Sequence, residues 1–269
     1  MVHAKEVLAQ PKVGGNGGRQ RLVIPALGEE EPRKDDLIAI RPIEVKRYGI
    51  EIIQNQKCGV ICHEWSEKNR KQLRDQGHKK TDGPKPPRNP WGDFIGCFYL
   101  LPGATYPKRK VEFWSPSSKT PPTHKNMWSW IEAKDRFGLP AQAFQNAIVS
   151  EARLLEIPAT KINAAVTVLG DEKGLIPIRF DRILFREDIV RIGNWPNKKP
   201  DLRYRPEFKG WSMMVPVQID VEFTDINQVC NLFERAGFHV GIMDWRKEKK
   251  GPFGSFGLKK TKMRSLPSE

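Results

Sequence analysis

Long hydrophobic runs are missing from this chain of 269 residues. None approaches the roughly 18–20 apolar residues that cross a bilayer, so no transmembrane helix and no membrane partner are expected. The opening residues, MVHAKEVLAQPKVGGNGG, hold no apolar signal core, which argues against secretion. Cysteine is scarce: Cys58, Cys62, Cys97 and Cys230 lack the dense spacing of a disulfide framework, as suits a reducing cytoplasm. The five histidines are scattered, and no serine or cysteine sits in a nucleophile motif. Cys58-x3-Cys62-His63, with His78 downstream, matches no common zinc spacing. Acidic residues do not cluster around any candidate metal position. A catalytic residue, a metal and a cofactor are therefore not expected, and the chain reads as a non-enzyme. Acids are also outnumbered: 46 Lys and Arg face 32 Asp and Glu, a formal charge of +14. Such an excess concentrates polyanions, nucleic acid above all; an acidic protein partner is the competing explanation.

What the sequence does contain is organised around residues 211–258. Val215, Val217, Ile219, Val221 and Phe223 alternate with Pro216, Gln218, Asp220 and Glu222, the period of a half-buried strand. Thr224 and Asp225 can cap a helix whose apolar residues run from Ile226 to Ala236, with Gly237 as its left-handed terminator. Phe238, Val240 and Ile242 read as a second strand. The basic, glycine-containing turn KEKKGPFGSFG follows, with a return strand at Phe253, Phe256 and Leu258. A second helix is expected over Leu139–Leu155 behind Pro140, and a short charged one over residues 66–75. Residues 162–169 and 175–180 read as two strands joined by a turn at Gly170–Gly174. A strand or broken hairpin spans 38–54, and another short strand 188–192.

Strands mixed with helices, without regular alternation, predict an α+β fold with a mainly antiparallel sheet. The β-α-β-β ending fits a ferredoxin-like core of the kind that underlies many RNA-binding domains. The organisation expected is a flexible N-terminal arm (1–38) and one α+β domain (39–258) with long basic loop insertions at 76–90 and 102–127. A basic tail (259–269) closes the chain.

The segment from Asp201 to Phe208, DLRYRPEF, and the later AGFHVGIMDWR resemble motifs of a family of uncharacterised phage and prophage proteins, DLRYRPxF and AGFxVGxGxWRPE. GLPAQAFQNAIVSEAR is similar to that family's middle helix, and the resemblance spans roughly residues 40–258. The chain departs from the pattern at Met243 and Lys247, where the family carries glycine and proline. More distantly, Leu139–Ala143 and Gly251–Gly257 resemble the helix entry and glycine-rich loop of the RAMP superfamily, the backbone subunits of CRISPR interference complexes. The resemblance implies a phage-encoded protein working in the cytoplasm of a bacterial host, with an RRM- or RAMP-like core holding RNA.

The residues themselves nominate the contacts. Arg203 and Arg205 face the same way on an extended segment, beside the rings of Tyr204 and Phe208; guanidinium groups bind phosphate bidentately and stack on bases. Equally open is a structural role, packed on Trp211 or paired with Glu207 or Asp201. Arg246, Lys247, Lys249 and Lys250 form a dense basic cluster, and Gly251 and Gly254 would let a phosphate approach the backbone. A solvated hairpin tip is the alternative. Trp245 can stack on a base or close the core. Lys79 and Lys80 add charge from the 76–90 loop. The function expected is binding of single-stranded RNA or DNA in a basic groove, as a homo-oligomer or a subunit of a larger nucleoprotein assembly. A self-assembling structural protein and a metal-dependent nuclease are the rivals.

Overall fold

The structure is a computed structural model, and it describes residues 42–64, 90–105, 130, 131, 133–192, 196, 199–259, 264 and 265. The N-terminal arm, the charged helix at 66–75, Lys79, Lys80, most of the two loop insertions and most of the tail lie outside the described residues.

The alternating run predicted near the C-terminus is strand β8 (Ser212–Asp220), and it is the centre of the larger sheet. Its inward residues Met213, Val215, Val217 and Ile219 are buried, because a period of two sends every second side chain to one face. Along one edge it pairs with β1 (Val45–Gln54), from Val45 opposite Asp220 to Ile53 opposite Ser212. That strand is unbroken through Tyr48 and Gly49. The other edge of β8 carries two short strands in turn, β4 (Val166–Val168) and β5 (Leu175–Arg179), and β3 (Gly138–Pro140) adds to β5. The outer edge of β1 is likewise shared, by β9 (Phe256–Leu258) and β10 (Arg264–Ser265). A second sheet is a long hairpin, β6 (Arg182–Ile192) with β7 (Lys199–Lys209), extended by β2 (Val60–Ile61). Every named strand pair is antiparallel, so the fold is α+β with mainly antiparallel sheets.

Four helices accompany the sheets among the described residues: α1 (Pro90–Ile95), α2 (Ala141–Leu154), α3 (Ala159–Ala165) and α4 (Ile226–His239). None is long and apolar enough to cross a membrane. Asp225 caps α4 as expected, its side chain accepting from the amides of Asn227 and Gln228. The helices α2 and α4 share a buried clamp. Glu151, fully buried, accepts from Arg235 Nε (2.8 Å) and His239 Nδ1 (3.0 Å). Between the sheets lies an aromatic core in which Phe208 meets Phe98, Phe137 and Phe180.

Several expectations are corrected. The helix does not stop at Gly237 but runs to His239, and the left-handed residue beyond it is Gly241 (φ 74°), whose amide returns to Ala236 O. Gly237 serves contact instead: a side chain there would overlap the Phe256 backbone carbonyl. The strand read at 238–242 is therefore absent, and the return strand is Phe256–Leu258. Val221 and Phe223 fall past the end of β8, in a turn where Glu222 and Phe223 both donate to Asp220. Residues 162–165 are helical behind Pro158, and β4 and β5 pair with β8 rather than with each other. The strand expected at 188–192 begins six residues earlier, at Arg182.

Candidate nucleic-acid interface

The β6–β7 hairpin turns alternation into two different faces. Tyr204, Pro206 and Phe208 point into the core, while Asp201, Arg203, Arg205, Glu207 and Lys209 share the opposite face of β7. Register then sets Asp188 opposite Arg203 and Arg186 opposite Arg205. The result is a continuous ionic lattice. Arg205 donates to Asp188 (2.9 Å) and Asp244 (2.8 Å); Arg186 donates to Asp188 (2.7 Å) and Glu207 (2.9 Å). Lys209 reaches Glu207 at 2.6 Å, and the Gly59 amide donates to the same carboxylate at 2.8 Å. Arg203 donates to Asp201 at 3.0 Å and lies 3.3 Å from His63 Nε2, while His63 Nδ1 meets Asp244 at 2.9 Å. Four carboxylates (Asp188, Asp201, Glu207, Asp244) thus face four cations (Arg186, Arg203, Arg205, Lys209), so the lattice itself carries no net formal charge.

Burial works against charge on Asp244, yet His63 and Arg205 outweigh it and hold the carboxyl below its usual range. On Glu207 burial is likewise outweighed, by Lys209, the Gly59 amide and Arg186. Depressed folded-state values mean stabilisation that is complete above the ordinary carboxylate pKa of ~4 and is lost as pH falls through those values. Urea midpoints measured from pH 7 down to about 3 should therefore decline below pH ~4, and less steeply in Asp244→Asn.

Residues 241–254 lie against this lattice. Asp244 reaches it through its side chain and donates its amide to Ile61 O (3.4 Å); Gly254 donates to Gly59 O (2.9 Å); the Arg186 guanidinium stacks on Phe253 at 4.7 Å. The turn itself is a short 3-10 segment, Lys247–Lys249, closed by Lys250 in the left-handed region and by the Gly251 amide donating to Arg246 O. Trp245 is also left-handed (φ 53°), rare for a bulky side chain, and 43% exposed. Its ring leans on Phe253, centroids 5.7 Å apart, and Gly251 leaves room beside it, since a side chain there would overlap the Trp245 carbonyl and ring.

The nominated residues accordingly separate. Trp245, Lys249 and Lys250 are solvent-facing on one turn, with Lys249 keeping only a long, exposed contact to Glu248 at 3.9 Å. Arg246 is engaged by Glu248 (Nε at 3.0 Å) and donates to Met243 O; Lys247 lies over the Phe238 ring at 3.9 Å and donates to Phe238 O. Arg203 is half-buried. Arg205, 5% exposed, is held between two carboxylates, so it is structural, although its partners are Asp188 and Asp244 rather than Glu207. Tyr204 offers no surface to a ligand: it is 2% exposed, because alternation turns it inward against Phe185 (5.8 Å). The space around Gly251 and Gly254 is filled by Trp245 and by the Ile242 backbone, so both glycines serve the packing of their own loop.

His63 and Phe253 are residues that sequence reasoning did not assign to this interface. Only pairing across about 180 positions unites His63 with Asp244, which no local spacing reveals. Burial pushes the Cys62 thiol well up and the Cys97 thiol up to about 12, so neither is a thiolate nucleophile at neutral pH. A cleft of about 530 Å³ lies elsewhere, lined by Lys134, Arg179, Asp181 and Gly210 among others, with opposite charges interspersed. Among known proteins, no family model matches this chain and no curated protein matches its sequence.

Proposed function

We propose that this protein binds single-stranded nucleic acid without catalysing a reaction on it, through Trp245 and the basic turn behind it. The observation that carries the reading is Trp245: an indole left 43% exposed, on a strained backbone, backed by Phe253 and flanked by Lys249 and Lys250. An aromatic platform beside solvated cations is what sequence-tolerant base stacking and phosphate neutralisation require. The overall charge of +14 supports the same partner. Arg203 adds a half-exposed guanidinium; Arg205 and Tyr204 leave the proposed contact set.

The fold reading belongs with this proposal. Strands β9, β1, β8 and β4 lie side by side, with α2 between β1 and β4 in sequence and α4 between β8 and β9. That order is the one expected of a ferredoxin-like core, and it supports an RRM- or RAMP-like ancestry. With it goes the proposal of a phage-encoded protein in a bacterial cytoplasm, multimeric along its strand.

Trp245→Ala is expected to weaken binding of a labelled single-stranded oligonucleotide by ~1–3 kcal/mol at every salt concentration. Lys249→Ala/Lys250→Ala should instead flatten the dependence of log K on log salt, by roughly 0.7 for each phosphate no longer neutralised. Fluorescence anisotropy at two or more salt concentrations separates them. A protein that purifies free of nucleic acid, as an oligomer that binds neither RNA nor DNA, would sink the reading and favour structural assembly.

A further inference from the structure

Asp244 is an odd residue to find inside a polyanion-binding turn. It precedes Trp245 directly, and a carboxylate there should repel phosphate. Its geometry points to another task. The carboxylate accepts from Arg205 NH1 at 2.8 Å and meets His63 Nδ1 at 2.9 Å, while its amide donates to Ile61 O. Its partners come from β7 and from the segment just after β2, so one residue joins the turn to the smaller sheet. Its two neighbours, Met243 (φ 63°) and Trp245 (φ 53°), both sit in the left-handed region without being glycine. Such residues persist only where the surroundings over-determine them. The anchor between them is Asp244.

We propose that Asp244 is the positioning residue of the Trp245 platform: its charge is bound up in Arg205 and His63, and it fixes the direction in which the indole faces. This inference rests on the nucleic-acid reading of the turn. It also reverses the sign that electrostatics alone would give. Removing a negative charge beside a phosphate-binding turn should tighten binding. Removing the anchor should loosen the platform and weaken binding, by at most what Trp245 itself contributes.

The test uses the full chain with fluorescein-labelled uridine and thymidine oligomers. Asp244→Asn is expected to bind roughly tenfold more weakly than the parent, and Trp245→Ala/Asp244→Asn no more weakly than Trp245→Ala alone, the non-additivity of two residues acting as one. Acrylamide quenching of the Trp245 emission, taken as the difference between each protein and its Trp245→Phe counterpart, should change in Asp244→Asn. His63→Ala removes the other partner, leaves Arg205 paired with Asp188, and should give the same signature if Asp244→Asn folds poorly. Tighter or unchanged binding by Asp244→Asn, or effects that add in the double variant, would overturn the proposal. Should the parent bind neither oligomer, the nucleic-acid reading falls. Quenching then decides alone, and an unchanged signal in both variants overturns the positioning role.

Discussion

Arg205→Ala is expected to destabilise the protein by about 3–5 kcal/mol in urea unfolding, whereas Arg203→Ala, two residues away on the same face, should cost about 1 kcal/mol or less. The two arginines look equivalent in sequence. What separates them is solvent. The Arg205 guanidinium is 6% exposed and pairs with Asp188, itself 6% exposed, and with the more open Asp244, so its loss takes a cation from a buried carboxylate that water cannot reach. The Arg203 side chain is 31% exposed, and water can take its place beside Asp201. Weakened nucleic-acid binding in Arg205→Ala would therefore reflect the lattice and the loop it holds, not a missing phosphate partner. Equal costs for the two substitutions would contradict this division.

Gly237→Ala is expected to destabilise by about 1–3 kcal/mol, although alanine in a helix normally gains about 1 kcal/mol over glycine. The position lies inside α4, where the helix meets β9, and a methyl group there would overlap the Phe256 carbonyl. Helix propensity and packing pull in opposite directions, and packing against rigid backbone wins. A stabilised Gly237→Ala protein would mean that the helix stands further from β9 than this close approach requires. The same substitution at Gly241, the true left-handed residue, meets the Gly254 carbonyl at 3.2 Å, a tight contact rather than an overlap, so the conformational cost of about 1 kcal/mol is joined by a small steric one.

These two positions also show what the sequence could and could not reveal. Alternation from Val215 to Ile219 and the Asp225 cap were legible because each is a local pattern with one physical cause. Gly237 misled because a contact glycine and a terminating glycine look alike until the partner strand is known. The hairpin Arg182–Lys209 was only half legible. Its outer face is an ionic lattice rather than a polar, solvated one, so the sequence left Arg203 and Arg205 open between ligand contact and a structural role and did not single out Arg186. At the candidate interface the basic turn was visible in sequence, but not which of its cations are already paired. Arg246 and Lys247 are engaged by Glu248 and Phe238, a distinction that depends on the 3-10 turn and the end of α4.

The central claim is that Trp245 and its flanking lysines bind a single strand. The most direct measurement is the affinity of the parent protein and of Trp245→Ala for labelled single-stranded RNA and DNA across a series of salt concentrations. The account predicts binding by the parent that falls steeply with salt, and a roughly tenfold or greater weakening in Trp245→Ala that salt does not change. Parent binding indifferent to salt, or a Trp245→Ala protein that binds as tightly as the parent, would contradict it.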